Sequence, residues 1–81
     1  MTKDDIKKRI TNQFKDSYTE VIDTTGESNH FSILIISEIF EKLSLINRHK
    51  LIYDVFKKEL TNEIHALQIR AYTKVEWQNK K

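Results

Sequence analysis

With 81 residues, 38% of them apolar, the chain is long enough for one domain with one core and lacks the composition of a disordered segment. Its 14 basic and 12 acidic residues leave a net charge of +2, which is too small to imply a nucleic-acid or membrane partner by itself. Because no cysteine is present, disulfides, thiolate zinc sites and a cysteine nucleophile are excluded, and any metal must be held by histidine or carboxylate.

The first predicted element is an amphipathic helix over residues 3–15. Ile6, Ile10 and Phe14 recur at i, i+4 and i+8 among charged and polar residues, which places them on one narrow apolar stripe. Thr2 precedes the helix and is a candidate N-cap, because a threonine hydroxyl can accept a hydrogen bond from a free backbone amide of the first turn.

Two strands are predicted next, over residues 18–23 and 30–37. The first is rich in β-branched residues that alternate loosely, and the second is almost continuously apolar, as expected for a strand covered on both faces or nearly so. The polar segment 23–29 between them contains the only glycine, Gly26, at a position where a loop needs positive φ or close backbone approach. We expect the two strands to form an antiparallel hairpin.

From Ser44 to Leu60 the apolar residues recur with helical spacing, which predicts the main helix. Its charged side chains should face solvent. The predicted stripe consists of Leu45, His49, Ile52, Phe56 and Leu60, with Leu51 and Val55 beside it. The side chains predicted to face away are Lys50, Asp54, Lys57 and Lys58.

The last predicted elements are a third strand over residues 64–73 and a short helix that carries Trp77. The strand follows from alternation, with His65, Leu67, Ile69 and Ala71 on one face. Thr73 and Glu76 have the spacing of a capping box, in which each side chain satisfies a free backbone amide. The order is α-β-β-α-β with a short C-terminal helix, and the absence of proline and of repeats favours a single domain over residues 1–81.

No catalytic motif is present. The sequence has no GxSxG segment, no phosphate-binding glycine loop and no clearly paired carboxylates, so we expect no enzymatic activity. The N-terminal residues are polar and mixed in charge, and the longest apolar run, Ile33 to Ile36, is too short to span a bilayer. We therefore expect a soluble cytoplasmic protein.

The three histidines are the most informative polar residues, because imidazole is the best borderline metal ligand open to a cysteine-free chain. For His65, on the face of Leu67 and Ile69, the residues alone favour a half-buried histidine that is simply hydrogen-bonded. Packing and a capping hydrogen bond are expected for His49. His30 ends the polar loop and should be at least partly exposed, with room for a ligand beside it.

A second candidate site is basic. It consists of Arg48, Lys50, Lys57 and Lys58 on the main helix, with Lys7, Lys8 and Arg9 on the first helix. These side chains could follow a phosphate backbone, but a solvated helix face is the favoured interpretation at this net charge. An αββαβ order is also found in KH domains, yet the GXXG loop on which KH recognition depends is absent.

The combined motifs resemble the BolA-like family over roughly residues 18–78. The strongest match is the run Asn47-Arg48-His49-Lys50-Leu51-Ile52-Tyr53. The other matching segments are His30-Phe31 with the apolar strand ending at Ser37, Phe40, Glu59-Leu60, Ile64-His65-Ala66-Leu67, Tyr72-Thr73 and Trp77. This resemblance implies an α+β fold of the class II KH-like type, with a three-stranded mixed sheet and helices packed on one side.

The resemblance also implies a role with a monothiol glutaredoxin in iron-sulfur cluster assembly, trafficking or iron sensing. His65 corresponds to the family's ligand of a bridged two-iron two-sulfur cluster, so the resemblance favours a ligand role for His65 over that of a hydrogen-bonded structural histidine. The other ligands would come from the glutaredoxin cysteine, from glutathione and from a Cys or His in the loop between the first strands. No cluster would be held by the isolated chain, which we expect to be a monomer that forms a heterodimer.

The loop departs from the family pattern, because the segment 23–29 is short and contains neither Cys nor His. His30 is the only nearby candidate among the histidines. Glu27 or a water molecule could instead complete the coordination of the iron. We therefore expect a more labile shared cluster than in relatives with a loop cysteine. A second departure is Lys42, which stands where the family usually has glycine, so the turn before the main helix should be less tightly specified.

Two alternatives stay open. The family resemblance also allows a DNA-binding transcriptional regulator, with Arg48, Lys50, Lys57 and Lys58 as phosphate contacts and steep salt dependence. The third possibility is a protein-interaction domain without a cluster, which predicts that glutaredoxin binding survives the substitution His65→Ala.

Overall fold

The fold was analysed in a computed structural model, which describes residues 1–60 and 62–80. Three helices and three strands follow one another in the predicted order, with a 3₁₀ helix after the second strand. They are α1 (Lys3–Gln13), β1 (Tyr18–Asp23), β2 (His30–Ile36), the 3₁₀ helix (Glu38–Phe40), α2 (Leu45–Val55), β3 (Ala66–Tyr72) and α3 (Lys74–Lys80).

The strands form one mixed sheet in the order β1-β2-β3. β1 and β2 are antiparallel, with Tyr18 opposite Ile36, so the predicted hairpin is confirmed. β2 and β3 are parallel, with His30 opposite Ala66 and Ile36 opposite Tyr72. Because the pair is parallel, both strands begin at the same edge of the sheet. The residues that directly precede the two strands therefore lie close together.

The core lies between one face of the sheet and the helices α1 and α2. Alternate residues of β2 point into it, as the pleat of a strand requires. Each large side chain that is fully buried contributes about 1.5–3 kcal/mol of transfer free energy. The core cluster consists of Ile6, Ile10, Phe31, Ile33, Ile35, Phe40, Ile52, Phe56, Ile64, Leu67, Ile69 and Ala71. The predicted fold class, a three-stranded mixed sheet with helices packed on one side, is confirmed.

Both predicted helix caps are confirmed. The Thr2 hydroxyl accepts a hydrogen bond from the backbone N–H of Asp5 at 3.2 Å, and Asp5 completes a capping box. At the start of α3, the Thr73 hydroxyl accepts from the Glu76 N–H at 3.3 Å, and a Glu76 carboxylate oxygen accepts from the Thr73 N–H at 2.9 Å. Side-chain spacing in the sequence therefore located both helix starts.

Several element ends differ from the prediction. α2 ends at Val55, since the backbone of its C-cap Phe56 leaves helical geometry at φ −114° and ψ 14°. Residues 56–60 therefore form turns rather than the last turn of a helix. The Phe56 ring is nevertheless fully buried, as predicted. α1 ends at 13 instead of 15, and the sequence analysis did not predict the 3₁₀ helix over residues 38–40.

The exposed ends of α2 also differ from the predicted apolar stripe. Leu45 and Ile46 are 65% and 68% exposed, although Leu45 was assigned to the buried stripe. The first turn of α2 therefore leaves two large apolar side chains at the surface. In residues 1–60 and 62–80, no helix is long and apolar enough to cross a membrane.

Candidate ligand site at the paired strand starts

The start of the parallel strand pair brings two of the three histidines together. His30 is the first residue of β2, and His65 directly precedes β3. Their ring centroids lie 5.8 Å apart, with the ring planes at 84° to each other. Two residues that are distant in sequence are thus neighbours because the first residues of β2 and β3 are opposite each other in the sheet.

The prediction that His65 is half-buried is wrong, because its side chain is exposed. Strand β3 begins one residue later, at Ala66, so His65 lies between the buried Ile64 and the first residue of the strand. Its backbone is nevertheless fixed, since the His65 N–H donates to the carbonyl oxygen of Asn29 at 2.7 Å. The imidazole therefore lies at the surface on an ordered piece of backbone.

His30 is half-buried, in agreement with the expectation of partial exposure. Its Nδ1 atom lies 2.8 Å from the side-chain oxygen of Asn29. The His30 carbonyl oxygen accepts hydrogen bonds from the backbone N–H and the hydroxyl of Thr24, at 2.9 and 3.1 Å. Both the ring and the backbone of His30 are therefore held by neighbouring residues.

The loop before His30 is stabilised by its own side chains. The Asp23 carboxylate accepts hydrogen bonds from the backbone N–H groups of Gly26 and Ser28, at 2.9 and 3.0 Å. Gly26 has φ +77°, which confirms the predicted need for positive φ, and Ser28 also lies in the left-handed region at φ 58°. The candidate ligand Glu27 is exposed in this loop.

A groove of about 570 Å³ opens beside the His30 ring. His30 lines it together with His49 and Tyr53 of α2 and with Gln68 of β3. His49 is half-buried, and its ring meets the Tyr53 ring edge-on with centroids 6.5 Å apart. The Tyr53 hydroxyl donates to the Leu67 carbonyl oxygen at 3.0 Å, so this part of α2 is bonded to the edge of β3.

The residues present fit a metal centre only if other ligands come from outside the chain. Within residues 1–60 and 62–80, there is no group of three or more His, Cys, Asp or Glu that could hold a metal ion. The chain supplies two imidazoles, which suit iron, zinc or copper, and four ligands complete a tetrahedral site. The pair can therefore contribute two ligands to a centre that a second molecule completes.

Arg48 does not lie on an exposed basic face, and that part of the prediction is wrong. Its side chain is 7% exposed, and its guanidinium donates two hydrogen bonds to the Glu76 carboxylate, at 2.6 and 3.0 Å. Further bonds of 3.0 Å reach the carbonyl oxygens of Leu43 and Ala71. Arg48 thus connects α2, β3 and α3, and its donors are engaged within the fold.

The Arg48 guanidinium lowers the pKa of the Glu76 carboxyl from 4.5 to about 2. The bond to Arg48 is the largest cause, and the hydrogen bond from the backbone of Thr73 acts in the same direction. Glu76 is thus both the capping-box carboxylate of α3 and the partner of a buried guanidinium.

The remaining predicted basic residues are exposed. Lys50, Lys57 and Lys58 extend from α2 and the turns after it, and Lys7 and Lys8 from α1 are exposed too. Arg9 is engaged, because its guanidinium forms an ion pair with Glu59. The possible phosphate contacts of this region are therefore lysines.

Sequence reasoning missed Asn29, which contacts both histidines. The signal was available, since asparagine directly before a strand often bonds nearby backbone or side-chain groups. The residue was counted only as part of a polar loop.

Comparison with known proteins gives one family. Residues 7–76 match the family described as BolA-like protein. The DNA-binding transcriptional regulator BolA of Vibrio cholerae is 35% identical, over 96% of this chain and 80% of the relative. The BolA domain of SufE1 from Arabidopsis thaliana superposes with a TM-score of 0.83 and 32% identity, over 91% of this chain and 93% of that domain. Yeast Fra2 superposes with a TM-score of 0.76 and 29% identity, covering 95% and 84% of the two chains.

Proposed function

The chain belongs to the BolA-like family, and on that basis we propose that it is the partner of a monothiol glutaredoxin. The two proteins would share a two-iron two-sulfur cluster with glutathione, in cluster assembly, trafficking or iron sensing. His65 would bind one iron of the cluster. The chain itself would carry out no catalytic step.

The observation that carries this proposal is the exposed imidazole of His65, beside His30 on an ordered edge of the sheet. An exposed ligand can reach a metal that another protein holds, whereas a buried one cannot. With two imidazoles at this edge, the chain needs a partner to complete the coordination of a cluster.

The expected chemical effect of histidine ligation is a change in cluster charge. A neutral imidazole in place of a thiolate removes negative charge from one iron, which raises the reduction potential of the cluster. Cluster ligation by His65 would therefore give the shared form a different potential and a different visible spectrum from the glutaredoxin homodimer.

The test is a titration of the protein into a cluster-loaded monothiol glutaredoxin with glutathione, followed by visible absorption and circular dichroism. Wild-type protein should change the cluster spectrum with saturation at one equivalent. The substitution His65→Ala should leave the spectrum of the glutaredoxin unchanged. His49→Ala is the matched control, because His49 lines the groove beside His30 but lies outside the close histidine pair.

Binding without the cluster is measured separately by calorimetry, so that loss of docking and loss of ligation are distinguished. An unchanged spectrum at saturating wild-type protein would refute the proposal. A spectrum that changes equally with His65→Ala would refute the role of His65. Calorimetric binding that survives His65→Ala, with a spectrum that wild-type protein leaves unchanged, would indicate a protein-interaction domain.

DNA binding is the second candidate function. The Vibrio cholerae relative is described as a DNA-binding transcriptional regulator, and Lys50, Lys57 and Lys58 of this chain are exposed. Phosphate contacts from lysines predict binding that weakens steeply as the salt concentration rises. Arg48 is not a phosphate contact in this candidate function, because its guanidinium is bonded to Glu76.

A further inference from the structure

We propose that Asn29 is a positioning residue that makes His30 the second imidazole ligand of this site. The inference rests on the proposed function, because it concerns the same edge of the sheet. Asn29 is half-buried and directly precedes His30. Its side chain contacts the His30 ring, and its backbone contacts the segment of His65.

The hydrogen bonds around Asn29 have a defined direction. The Glu27 N–H donates to the Thr25 hydroxyl oxygen at 3.2 Å, which leaves the hydroxyl proton of Thr25 to be donated onward. The hydroxyl oxygen lies 3.1 Å from the Asn29 side-chain oxygen and donates to it. Since the amide oxygen of Asn29 is an acceptor only, its contact with His30 requires a proton on Nδ1 of the ring.

This direction fixes which nitrogen of His30 can bind a metal. With the proton on Nδ1, the lone pair lies on Nε2, at the far side of the ring from Asn29. Metal-ligating histidines usually donate their second ring N–H to an oxygen acceptor, which sets the tautomer and the ring orientation. The Asn29 amide oxygen supplies that acceptor before any metal is bound.

The backbone of the same residue holds the second histidine. The Asn29 carbonyl oxygen accepts hydrogen bonds from the N–H groups of His65 and Ala66, at 2.7 and 3.2 Å. Asn29 therefore sets the ring of His30 through its side chain and the backbone position of His65 through its carbonyl. A side-chain substitution affects only the first of these contacts.

The first test uses the isolated chain and needs no cluster. Histidine tautomers are read from two-bond nitrogen–proton correlations of the imidazole at about pH 8.5, above the ordinary histidine pKa of about 6.5. Wild-type His30 should carry its proton on Nδ1, against the preference of a free histidine side chain for Nε2. Asn29→Ala should return His30 to the Nε2–H form, and Asn29→Asp, which keeps an acceptor oxygen, should preserve the Nδ1–H form.

Asn12→Ala on the exposed face of α1 is the control for loss of an asparagine side chain. A wild-type His30 with its proton on Nε2, or a tautomer that Asn29→Ala does not change, would overturn the assignment of Asn29. The His65 backbone N–H should keep its hydrogen bond in all of these variants, because the carbonyl of residue 29 is retained.

The second test follows the shared cluster. Asn29→Ala should shorten its lifetime by about tenfold or more, as changes to residues that orient metal ligands generally do, and Asn29→Asp should restore it. If His30→Ala shortens the lifetime while Asn29→Ala does not, the positioning role is refuted. If the tautomers behave as predicted but wild-type protein never changes the cluster spectrum, the proposed function fails and the orientation of His30 by Asn29 stands.

Discussion

Replacement of Glu76 by glutamine should destabilise the protein in a pH-dependent way. The Glu76 carboxylate accepts two hydrogen bonds from Arg48 and one from the Thr73 N–H. Glutamine keeps the size of the side chain and one acceptor oxygen but removes the charge. It also leaves the Arg48 guanidinium, which is 7% exposed, without its counter-charge.

The size of the effect follows from the pKa of Glu76. A fall from 4.5 to about 2 corresponds to about 3 kcal/mol if the carboxylate were fully shielded from water. The side chain is 44% exposed, so solvent screening reduces the expected contribution to about 1–2 kcal/mol. The folded-state pKa is depressed, so this stability is present above about pH 4.5 and is lost as the pH falls toward 2.

The assay is urea unfolding of wild type and Glu76→Gln at a series of pH values from about 2 to 7, since the linkage of Glu76 acts within this range. The difference in unfolding free energy should be constant at neutral pH and should shrink toward zero at the acid end. Glu41→Gln, at an exposed carboxylate after the 3₁₀ helix, is the control. A difference that does not change between neutral and acid pH would refute an electrostatic role for Glu76.

Two further predictions concern Lys42 and the exposed lysines. Lys42→Gly should raise the unfolding free energy by about 0.5–1 kcal/mol in urea titrations, because Lys42 has φ 68° and glycine relieves that strain. Lys42→Ala, which keeps the strain, is its control, and equal stability of the two variants would contradict the reasoning. If the chain binds DNA through these lysines, the logarithm of the binding constant should fall less steeply with the logarithm of the salt concentration in the double variant Lys57→Ala with Lys58→Ala. The magnitude of that slope should decrease by about two. A slope that stays the same would exclude these lysines as phosphate contacts.

Much of the fold could be predicted because several segments carry strong local signals. The apolar run that became β2 and the capping box of Thr73 and Glu76 each have one dominant physical interpretation. The end of α2 was missed because apolar residues keep their helical spacing through Phe56 and Leu60, although the backbone leaves helical geometry at Phe56. Apolar spacing alone therefore did not locate the last turn of the helix.

The site could be predicted less well, since its geometry depends on contacts between distant segments. Arg48 was grouped with the lysines by charge, but its environment is set by Glu76, 28 residues away. The exposure of His65 could not be inferred from alternation, because it depends on where β3 begins to pair with β2. The role of His65 came from resemblance to a family, and the residues alone favoured a different interpretation.

The parallel pairing of β2 and β3 has a consequence for when the histidine pair can exist. His30 and His65 are separated by 35 residues, and they meet only after the chain has formed α2 and returned to the edge of β2. Such non-local pairing is slow compared with the formation of a helix or a hairpin. During synthesis, therefore, the emerging polypeptide exposes isolated histidines, and the two-imidazole arrangement marks a molecule that has completed folding.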